Sequence, residues 1–172
     1  MGIYAKEKET LQEVSEGETS AVCFAVVDCG MQHYEYQGKE GIKPQVALGF
    51  RISTGQRYWK LLTLSLSQNA NLRGELEAWR GKAFTEEELK GFDLVKLIGV
   101  SCRLSLVKKG DYLNPGKIGK ATEKLTLEPG EGIIYDGATN DDLGKLPRWL
   151  RTIVLRSGEK PEKMSEQSDV PF

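Results

Sequence analysis

Residues 19–29 read TSAVCFAVVDC, an unbroken apolar run rich in valine. Such a run predicts a strand covered on both faces. The polar, glycine-bearing stretch GMQHYEYQGKEGIKP follows and is expected to be a loop. Over residues 45–53, Val46, Leu48, Phe50 and Ile52 alternate with Gln45, Ala47, Gly49, Arg51 and Ser53. That is the period of a half-buried strand. After the turn STGQ, a third strand is expected over 57–67. Tyr58, Leu62, Leu64 and Leu66 share one of its faces, and Arg57, Trp59, Leu61, Thr63 and Ser65 share the other. The period then lengthens: Leu72, Leu76 and Trp79 fall at i, i+4 and i+7, one face of a helix. Thr85-x-x-Glu88 is a capping box that opens a second short helix. Leu94, Leu97 and Ile98 keep helical spacing up to Gly99. A fourth strand is expected over 101–107, a Gly- and Lys-rich loop over 108–122 and a fifth strand over 123–127, with a short addition at 132–135. Leu146, Trp149, Leu150, Ile153 and Val154 trace one face of a last helix, with Pro147 placed for its first turn. From Ser157 onward the chain is polar and is expected to be disordered.

Three strands, a helical insertion and two strands is the order of an OB-fold. The expectation is a mainly β domain: a five-stranded OB-fold barrel with helices between strands 3 and 4 and a C-terminal helix. The alternative is another α+β domain. The chain divides into a polar N-terminal segment (1–18), the barrel domain (19–156) and a tail (157–172). In an OB-fold, oligonucleotides lie on the face of strands 2 and 3, between the loops joining strands 1–2 and 4–5.

Composition narrows the field modestly. A chain of 172 residues, 39% hydrophobic and 28% charged, suits one soluble globular domain. No apolar run approaches the ~18 residues of a membrane span, and the polar, acidic start carries no secretory h-region. Cys23, Cys29 and Cys102 are odd in number and lack C-x-x-C spacing. They point to no disulfide framework or zinc site and fit a reducing cytoplasm. Cys23 and Cys102 sit in apolar runs and read as small core residues. The net charge of −1 means that any attraction to nucleic acid must be local. Residues 108–124 supply it, with five lysines against two carboxylates, whereas residues 6–18 carry five glutamates against two lysines.

Single strands are held by cations along phosphates and by rings stacked on bases. The 1–2 loop offers Tyr34, Tyr36 and Lys43, with His33 and Lys39 beside them. Strands 2 and 3 offer Arg51, Arg57 and Trp59; the 4–5 loop offers Lys108, Lys109, Tyr112, Lys117 and Lys120. These are the candidate DNA-binding residues. Competing readings make the lysines merely solvated, put Trp59 in the core and turn one of Tyr34 and Tyr36 inward. Trp79 and Trp149 read as core. No catalytic centre, cofactor or metal is expected. His33 is the lone histidine, and no G-x-S-x-G elbow, Walker A loop, G-x-G-x-x-G turn or H-E-x-x-H helix appears. Asp136, Asp141 and Asp142 lie in a loop rich in Asp, Asn and Gly, a composition typical of turns. Glu86, Glu87 and Glu88 suit a helix N-terminus.

The segment Asp169-Val170-Pro171-Phe172 is similar to the acidic, hydrophobic C-terminal tip of bacterial single-stranded-DNA-binding proteins. In that family the tip docks replication and repair proteins. The resemblance implies the same partner-binding role here, although Lys160 and Lys163 make this tail less acidic than usual. Residues 71–94, NLRGELEAWRGKAFTEEELKGFDL, resemble a segment of small proteins in bacteriophage replication modules. The implied function is binding of single-stranded DNA in phage replication or recombination, inside a bacterial host, with partners recruited through the tip. The alternative is a protein-only adaptor or decoy that competes for the docking pocket of the host protein. A metal-dependent nuclease is a third, weaker reading. A homodimer is compatible with a single OB domain.

Overall fold

The computed structural model describes residues 14–137 and 142–157, with Gly2 and Ala5. The architecture is built around one long strand, β1 (Gly17–Tyr36). Its first part, residues 17–22, pairs antiparallel with β4 (Ser101–Lys109), and residues 21–36 pair antiparallel with β2 (Lys39–Ile52). Register shifts at Cys23/Ala25 and Asp28/Gly30 leave Phe24 and Cys29 as extra residues. Such bulges bend a strand, and here they let β1 serve two parts of the sheet. β3 (Arg57–Thr63) pairs with β2, and β5 (Tyr112–Lys120) pairs with β4, giving the order β3-β2-β1-β4-β5. β6 (Ile133–Tyr135) adds to β1 in parallel at residues 25–27.

The mainly β class and the positions of the helices agree with the sequence. Four boundaries do not. β1 and β2 continue through residues 30–44, which form the arm of a hairpin and not a loop. The two-residue turn Gln37-Gly38, with φ of 50° and 77°, closes it, a geometry that matches the twist of paired strands. The arm projects beyond the core, so both of its faces are polar enough to hide the strand period. The 108–122 stretch is likewise strand: Lys109 pairs with Tyr112 across Gly110-Asp111. The fifth strand is therefore 112–120, where Pro115, Gly116 and Gly119 break the alternation, and not 123–127. Residues 123–127 carry no regular structure. Their anchor is Ser101, whose Oγ donates to the Leu125 carbonyl (3.0 Å) and accepts from the Leu125 N–H (2.8 Å). β3 stops at Thr63, four residues short of expectation.

The inner face of the sheet packs Ala21, Cys23, Val46, Leu48, Phe50, Leu62, Cys102, Leu104 and Ile118 against α1 (Asn71–Arg80). Leu72, Leu76 and Trp79 face this core, as their spacing predicts, and Trp79 Nε1 donates to the Ser101 carbonyl at 2.8 Å. The short α2 (Glu86–Lys90) carries the expected capping box. The outer edges β3 and β5 are joined by side chains. Lys60 Nζ donates to the Gly116 carbonyl and pairs with Glu75 of α1 at 3.1 Å, while Glu75 accepts from the Ile118 N–H at 2.9 Å. No backbone ladder joins β3 to β5 among the described residues.

A second core lies on the outer face. Phe24, Val27, Cys29 and Ala47 pack against Ile133, Tyr135, Leu146 and the Leu150 and Val154 side chains of α3 (Arg148–Leu155). Gln32, buried, donates to the carbonyls of Cys29 (2.7 Å) and Ile153 (2.9 Å), tying β1 to α3. All three cysteines are buried free thiols, and burial pushes each up to about 12. No helix among the described residues is long and apolar enough to cross a membrane.

Candidate nucleic-acid interface

The β1–β2 arm pairs Gln32 with Lys43, Tyr34 with Gly41 and Tyr36 with Lys39. Residues two apart on a strand share a face, so Tyr34 and Tyr36 lie together with Lys39 and Lys43, and neither tyrosine turns inward. The Tyr34 ring lies against Gly41, where an added Cβ would sit 2.7 Å from it, and Lys43 Nζ lies 4.9 Å from the ring centroid. Tyr36 is 67% exposed.

Arg51, Arg57 and Trp59 also project from the outer face, as the β2–β3 register requires, but each has a partner there. Arg51 donates to Glu131 and to the Thr126 carbonyl (2.7 Å). Arg57 pairs with Glu131 at 3.7 Å and stands 4.6 Å from the Phe24 ring. Burial alone raises the Glu131 carboxyl; hydrogen bonds from Arg51 and the Glu128 N–H, with the two arginine charges, carry it below its ordinary range. Trp59 meets Phe24 edge-on at 5.2 Å and Trp149 of α3 at 6.4 Å. The half-buried Trp59 thus belongs to the second core, while Trp149 is 46% exposed.

The β4–β5 arm carries the remaining candidates. Lys109 and Tyr112 pair on one face, with Tyr112 77% exposed; Lys108 pairs with Leu113 on the other. Lys117 follows, its N–H bonded to Ser105 Oγ at 2.7 Å. Next to it, Gly116 is the residue that Lys60 bridges, so Lys117 lies at the seam with β3. Lys120 stands apart, at a cavity beside α1. The two arms leave β1 from opposite ends: one continues β1 past residue 30, the other runs on beyond Gly17. The structure therefore gathers the candidates into two arms and a covered patch, with Lys120 apart at the cavity, in place of a single groove.

None of Lys39, Lys43, Lys108, Lys109, Lys117 and Lys120 forms an ion pair with a described residue. Sequence reasoning missed a second gathering of cations, Arg80 and Lys96, which meet Lys120 around Phe84 and Phe92. These residues come from separate elements with no shared spacing, so no motif could signal them. Among the described residues no group of His, Cys, Asp or Glu is placed to hold a metal ion. Asp142 pairs with Lys145 (2.8 Å) and accepts from the Ile134 N–H (3.0 Å). Asp141 and the tip Asp169, Val170, Pro171 and Phe172 lie outside the described residues. Comparison of the sequence with family models and with curated proteins finds no match.

Proposed function

We propose that this protein binds single-stranded DNA without strong sequence preference, through an OB-type barrel, and recruits partner proteins through Asp169–Phe172. In this reading it acts in replication or recombination of phage DNA in the bacterial cytoplasm. The order β3-β2-β1-β4-β5, a bulged β1 shared between β2 and β4, and a helix between β3 and β4 support the barrel. The phage setting and the tip's role rest on the two sequence resemblances. The observation that carries the binding reading is the pairing of exposed tyrosines with lysines that form no ion pair with a described residue: Tyr34 and Tyr36 with Lys39 and Lys43 on one arm, Tyr112 with Lys109 on the other, where Lys108 and Lys117 add charge. Rings and cations side by side are what stacked bases and threaded phosphates require. Arg51, Arg57 and Trp59 enter this reading only as supports of the outer face, because α3 and residues 126–131 occupy them.

The test is fluorescence anisotropy with labelled oligo-dT and with duplex DNA. Affinity for oligo-dT is expected to fall linearly with salt on logarithmic axes, since phosphate contacts release counterions. Stacking contributes about 1–3 kcal/mol per base, so Tyr36→Ala with Tyr112→Ala weakens binding about tenfold or more. Absence of salt-sensitive affinity for the single strand overturns the reading. The covered strand 2–3 face favours one rival, a protein-only adaptor that uses the same tip; no gel shift with either DNA supports it.

A further inference from the structure

Between α1, the 3-10 turn Leu94–Leu97, the start of β4 and the end of β5 lies a cavity of about 420 Å³. Leu76, Trp79, Phe84, Phe92 and Leu97 make its walls apolar, and Arg80, Lys96 and Lys120 bring three cations to it. The Phe84 and Phe92 rings meet edge-on at 5.3 Å, Arg80 stands 4.7 Å from the Phe84 ring, and Lys96 Nζ lies 5.7 Å from the Phe92 ring. Glu88 takes one guanidinium nitrogen of Arg80 at 2.8 Å. That nitrogen is Nη2; the second terminal nitrogen, Nη1, is buried with no partner among the described residues. An unpaired buried donor of this kind is destabilising, and an incoming anionic oxygen removes that cost. The remaining polar side chains are committed: Trp79 Nε1 to the Ser101 carbonyl, and Ser101 Oγ to Leu125 in both directions. The lining side chains leave only cationic donors and no uncommitted acceptor for the donor edge of a nucleobase, whereas a hydrocarbon ring loses nothing on entry. The chemistry therefore selects an apolar ring accompanied by carboxylates.

We propose that the cavity receives residues 158–172 of this chain, with the Phe172 ring inside and the Glu166 and Asp169 carboxylates against Arg80, Lys96 and Lys120. That segment carries four carboxylates against two lysines and a single aromatic ring, so it complements the cavity in charge and in shape. Reach is sufficient. Fifteen residues extend up to about 50 Å at 3.3–3.6 Å each, and a compact domain of this length is roughly 40 Å across, from a radius of gyration of about 16 Å. The occupied cavity holds the tip away from partner proteins until one competes for it. This inference is independent of DNA binding.

The test uses the full-length Phe172→Ala chain, whose own segment lacks the ring, titrated with a fluorescein-labelled peptide of residues 158–172. Saturable binding is expected. It weakens about tenfold or more with Lys96→Glu and Lys120→Glu together, both exposed positions, with circular dichroism confirming the fold. It weakens comparably when Phe172→Ala is placed in the peptide, because the burial of the ring is lost. The wild-type chain binds the peptide more weakly than the Phe172→Ala chain, because its own segment competes. No saturable binding, indifference to the two charge reversals, or equal binding of the ring-less peptide overturns the proposal. Equal affinity for wild-type and Phe172→Ala chains overturns the intrachain assignment, and displacement by oligo-dT gives the cavity to nucleic acid instead.

Discussion

Glu131 sits where two arginines of different strands meet, and its side chain is only 6% exposed. It joins the irregular chain after β5 to the outer face of β2 and β3. Replacing it by glutamine leaves the Arg51 guanidinium, 19% exposed, short of its charged acceptor. A charge-assisted hydrogen bond contributes about 1.5–3 kcal/mol, so Glu131→Gln should lower unfolding stability by about 2 kcal/mol at neutral pH in urea titrations. The folded-state carboxyl titrates below its ordinary value of 4.5. Its contribution is therefore fully present above that value and is lost as pH falls through the lower folded value. The gap between wild type and Glu131→Gln should close as pH drops below 4.5, and a gap that persists in strong acid contradicts this role. Arg51 and Arg57 were legible in the sequence as outward residues of adjacent strands. Their partner was not, because 74 residues or more separate it from them.

At the scale of elements, α3 decides what the outer face can do. Its spacing was plain in the sequence, and Leu146, Leu150, Ile153 and Val154 of the expected face do pack, but Trp149, expected in the core, is 46% exposed at the edge of that face, where it meets Trp59. What they pack against was not legible. The apolar run of β1 announced burial on both sides, and one side required a cover, but nothing along the chain said that the last helix supplies it. Leu150 is fully buried in this second core. Leu150→Ala should cost about 2–5 kcal/mol, as buried leucine truncations do, and should increase tryptophan exposure at Trp59 and Trp149, read by acrylamide quenching. Unchanged stability would mean that α3 is only loosely docked. The hairpin arms show the opposite case. Their rings and lysines are legible in the sequence, but the strands carrying them are not, since polar strands beyond a core have no hydrophobic period.

For the whole molecule, the architecture depends on how the sheet's edges are held. Lys60 bridges them, joining β3 to the Gly116 carbonyl of β5 and to Glu75 of α1. Lys60→Met should destabilise the fold by about 1.5–3 kcal/mol, with the loss of amide protection concentrated in residues 57–63 and 112–120. Protection lost evenly across the sheet would argue against a seam at this place.

The strand and helix types, the inward faces of β2, β3 and α1, and the existence of a final amphipathic helix were determined by the sequence itself. Each depends on a local period of 2 or 3.6 residues, which the order of side chains states directly. Only the tertiary structure decided that β1 bends at Phe24 and Cys29 to serve two neighbours, that α3 covers Trp59, and that Arg80, Lys96 and Lys120 converge. Those outcomes depend on contacts between distant segments, and the relative placement of packed elements is not written in the periodicity of any one of them.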